Sequence, residues 1–276
     1  MSTEPQTLIF EAGRSEAHYW RDIWRYRELL YFLSWRDILV RYKQTVIGLA
    51  WSLVRPLLTM VVFTLVFGKL AKLPSDNVPY PILVFSALLP WQFFTSAFTE
   101  AGNSLVNNAN MISKVYFPRL IIPASAVIVS FIDFLISGLI MVALMIYYGY
   151  MPDWHIIALP LFILIAIAAA IGSGLWLAAL NVTYRDFRYI IPFVVQFGMY
   201  VSPVGFSSNI VPEEWRLLYS INPMVGVIDG FRWSMGAGNV HLYWPGLIIS
   251  IVLVTIILIT GIKHFRQTER RFADLI

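Results

Sequence analysis

The stretch LIIPASAVIVSFIDFLISGLIMVALMIYY, residues 120–148, carries a single charged side chain, Asp133, and its reading decides the fold. A helix needs about 20 apolar residues to cross the hydrocarbon of a bilayer. This run exceeds that, and can tilt or extend beyond the bilayer. Working outward from it, five further runs reach spanning length: 45–67, 81–98, 156–180, 190–206 and 244–262. The run at 190–206 is the shortest and passes into Ser-Pro-Val-Gly. Composition agrees. The chain is 58% hydrophobic and 13% charged, whereas soluble domains carry roughly a quarter charged residues. The expected fold is an all-α membrane protein with six transmembrane helices.

Orientation follows from Lys and Arg, which collect on the cytoplasmic side of membrane proteins. With both termini cytoplasmic, sixteen of the 20 Lys and Arg lie inside, and Lys69, Lys72, Arg216 and Arg232 lie outside. The same bias accounts for the net charge of +4 without nucleic acid as a partner. The absence of cysteine excludes disulfides and thiolate metal sites. The opening MSTEPQTLIFEAGRSE has no basic segment leading into an apolar core, so it does not read as a signal peptide.

Three regions flank or interrupt the spans, which occupy 45–262. Residues 1–44 form a cytoplasmic N-terminus whose HYWRDIWRYRELLYFLSWRDILVRYKQ alternates aromatic and basic residues. Trp20, Ile23, Trp24 and Tyr31 fall on one side of a helix, and Ser34 with Asp37 resembles a capping box that restarts it. Trp35, Ile38, Leu39 and Tyr42 form a second apolar stripe. Such a segment lies in the headgroup plane against membrane lipids, or packs on a soluble partner. Residues 207–242 contain two apolar segments broken by Pro212, Pro223 and glycines, read as short external helices that re-enter the membrane. Residues 263–276 form a cytoplasmic tail.

Several chemistries are missing. No G-x-x-x-x-G-K-[ST] is present, His18, His155, His241 and His264 show no metal-ligand spacing, and no G-x-S-x-G elbow or carboxylate pair on one helix face is found. No catalytic and no metal site is expected. Within the spans, Ser130, Asp133 and Ser137 share one helix face, either as a polar lining or as a hydrogen-bonding face toward a neighbouring helix. Tyr189, Phe193, Gln196, Phe197 and Tyr200 also share a face. It reads as lipid-facing bulk with interfacial anchors, or as a channel wall on which sugar rings stack. Trp91, Phe94 and Phe98 make a similar, weaker stripe.

The order of these features resembles the transmembrane subunit of ATP-binding-cassette exporters for lipid-linked polysaccharides, the O-antigen, capsule and teichoic-acid permeases. The motifs that carry it are WRDILVRYKQTVIGLAWSLVRPL, NNANMISKVYFPRLIIP, NVTYRDFRYIIPFVVQFGMYVSPVGFS, INPMVGVIDGFRW and FRQTERRFADLI. The resemblance implies a homodimer with two separate ATPase subunits, which would hold ATP and Mg; this chain would carry no cofactor. It implies a coupling helix in the loop 103–119, seated in a groove of the ATPase. Asn110, Met111, Ile112, Lys114, Val115, Tyr116 and Phe117 would supply its contacts. It further implies a substrate entrance for a glycan on an undecaprenyl-type diphosphate at Arg36, Arg41, Lys43 and Arg55, and a channel at the dimer axis. Competing classes are a related exporter of small lipophilic substrates and a membrane-bound glycosyl- or acyltransferase. The missing acidic and His clusters speak against the latter.

Overall fold

The structure, a computed structural model, describes residues 16–43, 46–75, 78–184, 186–236, 242–269 and 272. The N-terminal stretch read as lacking a signal peptide lies outside the described residues, as do Arg14, Arg185, His241, Arg270 and Arg271. Every regular element among those described is helical. In chain order these are α1 (Glu16–Arg25), α2 (Arg27–Lys43) and α3 (Val46–Phe63), which runs on as a π-helix to Leu70. Then come α4 (Tyr80–Asn107), α5 (Ala109–Ile112), α6 (Ile121–Tyr147) and α7 (Leu159–Thr183). The chain continues with α8 (Phe187–Val201), α9 (Glu213–Tyr219), α10 (Pro223–Ser234) and α11 (Trp244–Glu269).

Among the described residues, five helical stretches are long and apolar enough to cross a membrane: Leu53–Leu70, Tyr80–Asn107, Ile121–Tyr147, Trp154–Thr183 and Trp244–Glu269. The sixth expected crossing, 190–206, is realised as α8, with 15 residues. At ~1.5 Å per residue α8 spans about 22 Å, less than the ~30 Å of hydrocarbon. It stops because Ser202 takes extended backbone and the Val204 N–H turns back to the Ser202 carbonyl at 2.7 Å.

α4 forms the centre of the bundle. It packs against α6 on one side and α7 on the other, α7 packs against α11, and α10 fits among α4, α7 and α11. Burial measures this arrangement: across an 18-residue stretch of each span, 67% of α4 is buried inside the chain, but only 11% of α3. α3 therefore sits on the edge. The α7–α11 crossing is close enough to need glycine. A Cβ on Gly172 would stand 2.7 Å from the Leu258 backbone, and Gly261 faces Gly172 across the same contact. α6 ends in a Schellman motif, with Gly149 at φ +63, its N–H on Ile146 and the Tyr150 N–H on Met145. α10 begins at an Asn222 cap, whose side chain accepts from the Met224 N–H, followed by Pro223 in the first turn.

The N-terminal segment departs from its expected form in two ways. The helix breaks at Tyr26, and Ser34 restarts nothing: its hydroxyl donates to the Leu30 carbonyl at 2.8 Å in mid-helix. Arg36 reaches Asn108 at the end of α4, whereas Arg41 and Tyr42 reach Asp133, about 18 Å along α6 from its first residue. α2 thus descends along α6. Leu33 is buried in a second core with Leu105, Ile112, Phe117, Ile121, Phe265 and Phe272. Trp24, Tyr31 and Trp35 remain exposed, the last two stacked at 6.4 Å. Both ends of the described chain, α1 and the last turn of α11, meet here: the Arg266 guanidinium lies 4.5 Å over the Tyr19 ring.

Candidate functional site: a charged cavity beneath the N-terminal helix

Between α2, α3, α4, α6 and α8 lies a cavity of about 770 Å³. Its α4 wall is apolar at one end, with Leu88, Trp91 and Phe93, and polar along the rest, with Gln92, Thr95, Ser96, Thr99 and Glu100. These polar positions recur every three to four residues, so one face of an otherwise apolar helix is hydrophilic. Ser130, Asp133 and Ser137 of α6 all line the same space, and the face also bonds to neighbouring helices, Ser130 to Ser96 and Asp133 to Arg41. Arg41 and Arg55 complete it from α2 and α3.

The four expected entrance cations are placed differently from one another. Arg36 pairs with Asp37 at 2.7 Å and donates to Asn108. Arg41 pairs with Asp133 at 2.9 Å and more loosely with Glu100 at 3.8 Å. Lys43 is exposed at the end of α2 and lines neither cavity described here. Arg55 is exposed, lines the cavity, and forms no ion pair among the described residues. Asp133 also accepts a hydrogen bond from the Tyr42 hydroxyl. Burial, then the hydrogen bond to Asp133, pushes the Tyr42 phenol well above its usual value, so it stays protonated as a donor. A second cavity of about 450 Å³, lined by Arg36, Asp37 and Asn108, meets the first at Val40, Arg41 and Glu100.

The aromatic stripe of α8 faces away from this cavity. Tyr189, Phe193, Gln196, Phe197 and Tyr200 are exposed, whereas Ile191, Pro192, Val195 and Met199 form the wall. Of the α4 aromatics, Trp91 is buried and lines the cavity against Gly198. Phe94 and Phe98 stack on each other at 5.8 Å and are not part of its lining.

The loop after α4 divides into two sets. Ile112 and Phe117 are buried in the second core, with Met111 packed against it. Asn110, Lys114, Val115 and Tyr116 are exposed, Val115 by 57% and Tyr116 by 69%. The loop is anchored where it ends. The Arg119 N–H donates to the Glu269 carboxylate at 2.9 Å, its guanidinium to the Glu269 carbonyl, and it lies over the Phe272 ring.

Sequence reading missed Glu100 and Tyr42 as partners of the cavity, and the structural role of Arg232. Glu100 was legible in the polar face of α4, had the helix been continued past Phe98. Arg232, expected outside as a topological charge, is completely buried. It donates to the carbonyls of Leu83, Phe206 and Val204, one turn after the buried Asp229. Burial pushes the Asp229 carboxyl up, opposed by Arg232 and a hydrogen bond from Ser208.

The ABC-2 type transporter family matches residues 28–236. The O-antigen export system permease protein RfbA of Myxococcus xanthus is 29% identical over 259 residues, covering 93% of this chain and 98% of that protein. A protein of the same name from Klebsiella pneumoniae is 27% identical, covering 90% and 95%. The inner membrane transport permease YadH of Escherichia coli K12 is 23% identical over 222 residues, covering 75% and 85%. The family match takes in α2, the cavity walls, the loop after α4 and α10, and the chain therefore belongs to the ABC-2 type transporter family as a membrane-spanning permease.

Proposed function

We propose that this permease is the transmembrane subunit of an ATP-driven exporter that moves a lipid-linked polysaccharide, an O-antigen-like glycan on undecaprenyl diphosphate, across the inner membrane. Two copies form a homodimer around a channel, and α8 serves as the fifth of six crossings. Both termini are cytoplasmic, and α9 and α10 lie at the outer mouth. Two ATP-binding-cassette subunits, which carry ATP and Mg, dock on the loop after α4. The outward aromatic face of α8, with Gln196 and the Tyr hydroxyls, is presented to the channel.

The charged cavity carries this reading. Ionisable groups inside spans are costly and are retained where they serve a path or a ligand. A space of this volume accommodates a drug-sized ligand, here a diphosphate with its first sugar. Arginine is the side chain suited to phosphate oxygens. The RfbA relatives, matched along nearly their whole length, favour the glycan. The exposed aromatic face of α2 favours a lipid-borne substrate over a small soluble one.

Reconstitution of the chain with its ATPase subunit in liposomes tests the proposal. Polyprenyl-diphosphate-linked glycan should stimulate ATP hydrolysis and become accessible to a glycosidase on the opposite side. Stimulation by small lipophilic compounds alone would replace this reading with that of a small-molecule exporter.

A further inference from the structure

We infer that Asp133 determines specificity: it holds Arg41 away from monoanionic phospholipid headgroups, so that the cavity accepts a lipid bearing a diphosphate. The inference rests on the lipid-linked glycan reading and adds how the site rejects the anionic lipids that surround it.

The problem it solves is physical. Bilayers supply anionic phosphodiesters at their inner surface, and a cavity with two uncommitted arginines would bind any of them through charge-assisted contacts. Here only one arginine is uncommitted. Arg55 is exposed in the cavity and forms no ion pair among the described residues. Arg41 is held by Asp133 at 2.9 Å, and Asp133 is itself fixed by the Tyr42 hydroxyl.

A headgroup with one negative charge can satisfy Arg55. To engage Arg41 as well, it must approach the Asp133 carboxylate and Glu100, and their repulsion offsets the attraction. A diphosphate has a second charged phosphate. One phosphate occupies Arg55, and the other competes for Arg41, whose side chain is 38% exposed and whose 3.8 Å contact to Glu100 is the weaker of its two. Rejection by a built-in opposing charge is a general route to selectivity.

The test uses the full chain in nanodiscs of phosphatidylcholine, with and without phosphatidylglycerol, and geranylgeranyl diphosphate as the probe. In the wild type, phosphatidylglycerol should weaken probe binding only slightly. In Asp133→Asn it should weaken binding by about fivefold more, the size of one partly exposed charge pair. Glu100→Gln, at an exposed position, should shift binding in the same direction by about twofold, and serves if Asp133→Asn does not fold. Equal competition in the wild type and both variants overturns the assignment of Asp133 while leaving the diphosphate site standing. Failure of the wild type to bind the probe in pure phosphatidylcholine overturns both.

Discussion

Arg232 shows how a single residue can join three segments. Its guanidinium reaches carbonyls at the start of α4 and in the turn after α8. Replacing it with Met removes the main cation that offsets the burial of Asp229, and leaving a buried charge uncompensated typically costs about 3–5 kcal/mol. Thermal unfolding in detergent should record that loss, and Asp229→Asn in the same chain should restore much of it. The deficit should also depend on pH. Without Arg232, burial raises the Asp229 carboxyl further above its unfolded value of about 3.9, so stability falls as pH rises through the raised pKa. Arg232→Met should therefore be closer to wild type in mild acid than at neutral pH.

Among the elements, the loop after α4 separates buried from exposed residues. Ile112→Asp places a carboxylate in the second core and should destabilise the permease itself by a few kcal/mol. Val115→Asp lies on the exposed side, so the chain should insert and fold normally but fail to co-purify with the ATPase subunit. Lys114→Ala should matter less, since a rim charge contributes about 1 kcal/mol or less. If Lys114→Ala releases the ATPase and Val115→Asp does not, the contact is electrostatic. Most spans were legible because hydropathy reports immersion: 120–148 became Ile121–Tyr147, and 156–180 became Leu159–Thr183. It was silent where immersion ends but the helix continues. α4 runs nine residues past Phe98, to Asn107, because its polar residues lie on one face and leave the other free to pack. Ser34 misled for a related reason: a serine hydroxyl bonds equally well to the carbonyl four residues back. Arg232 and Tyr42 were beyond reach, since their partners lie 149 and 91 residues away.

At the scale of the whole molecule, the loop after α4 and the segment between α8 and α9 occupy opposite ends of the bundle. A cysteine at Ser113 should be labelled by an impermeant maleimide only from the cytoplasm, and one at Asn209 only from outside; the chain has no cysteine of its own. Labelling of Ser113→Cys from outside would reverse the orientation.

The backbone contact of Gly172 with Leu258 and Gly261 has a consequence for biogenesis. α7 leaves the ribosome long before α11, and until α11 arrives its glycine groove has no occupant. Phe265 and Phe272, which fill the core around Phe117, come later still. Both seams therefore close only once α11 and Phe272 are made, and a nascent permease stalled before α11 would present them open to the quality-control machinery.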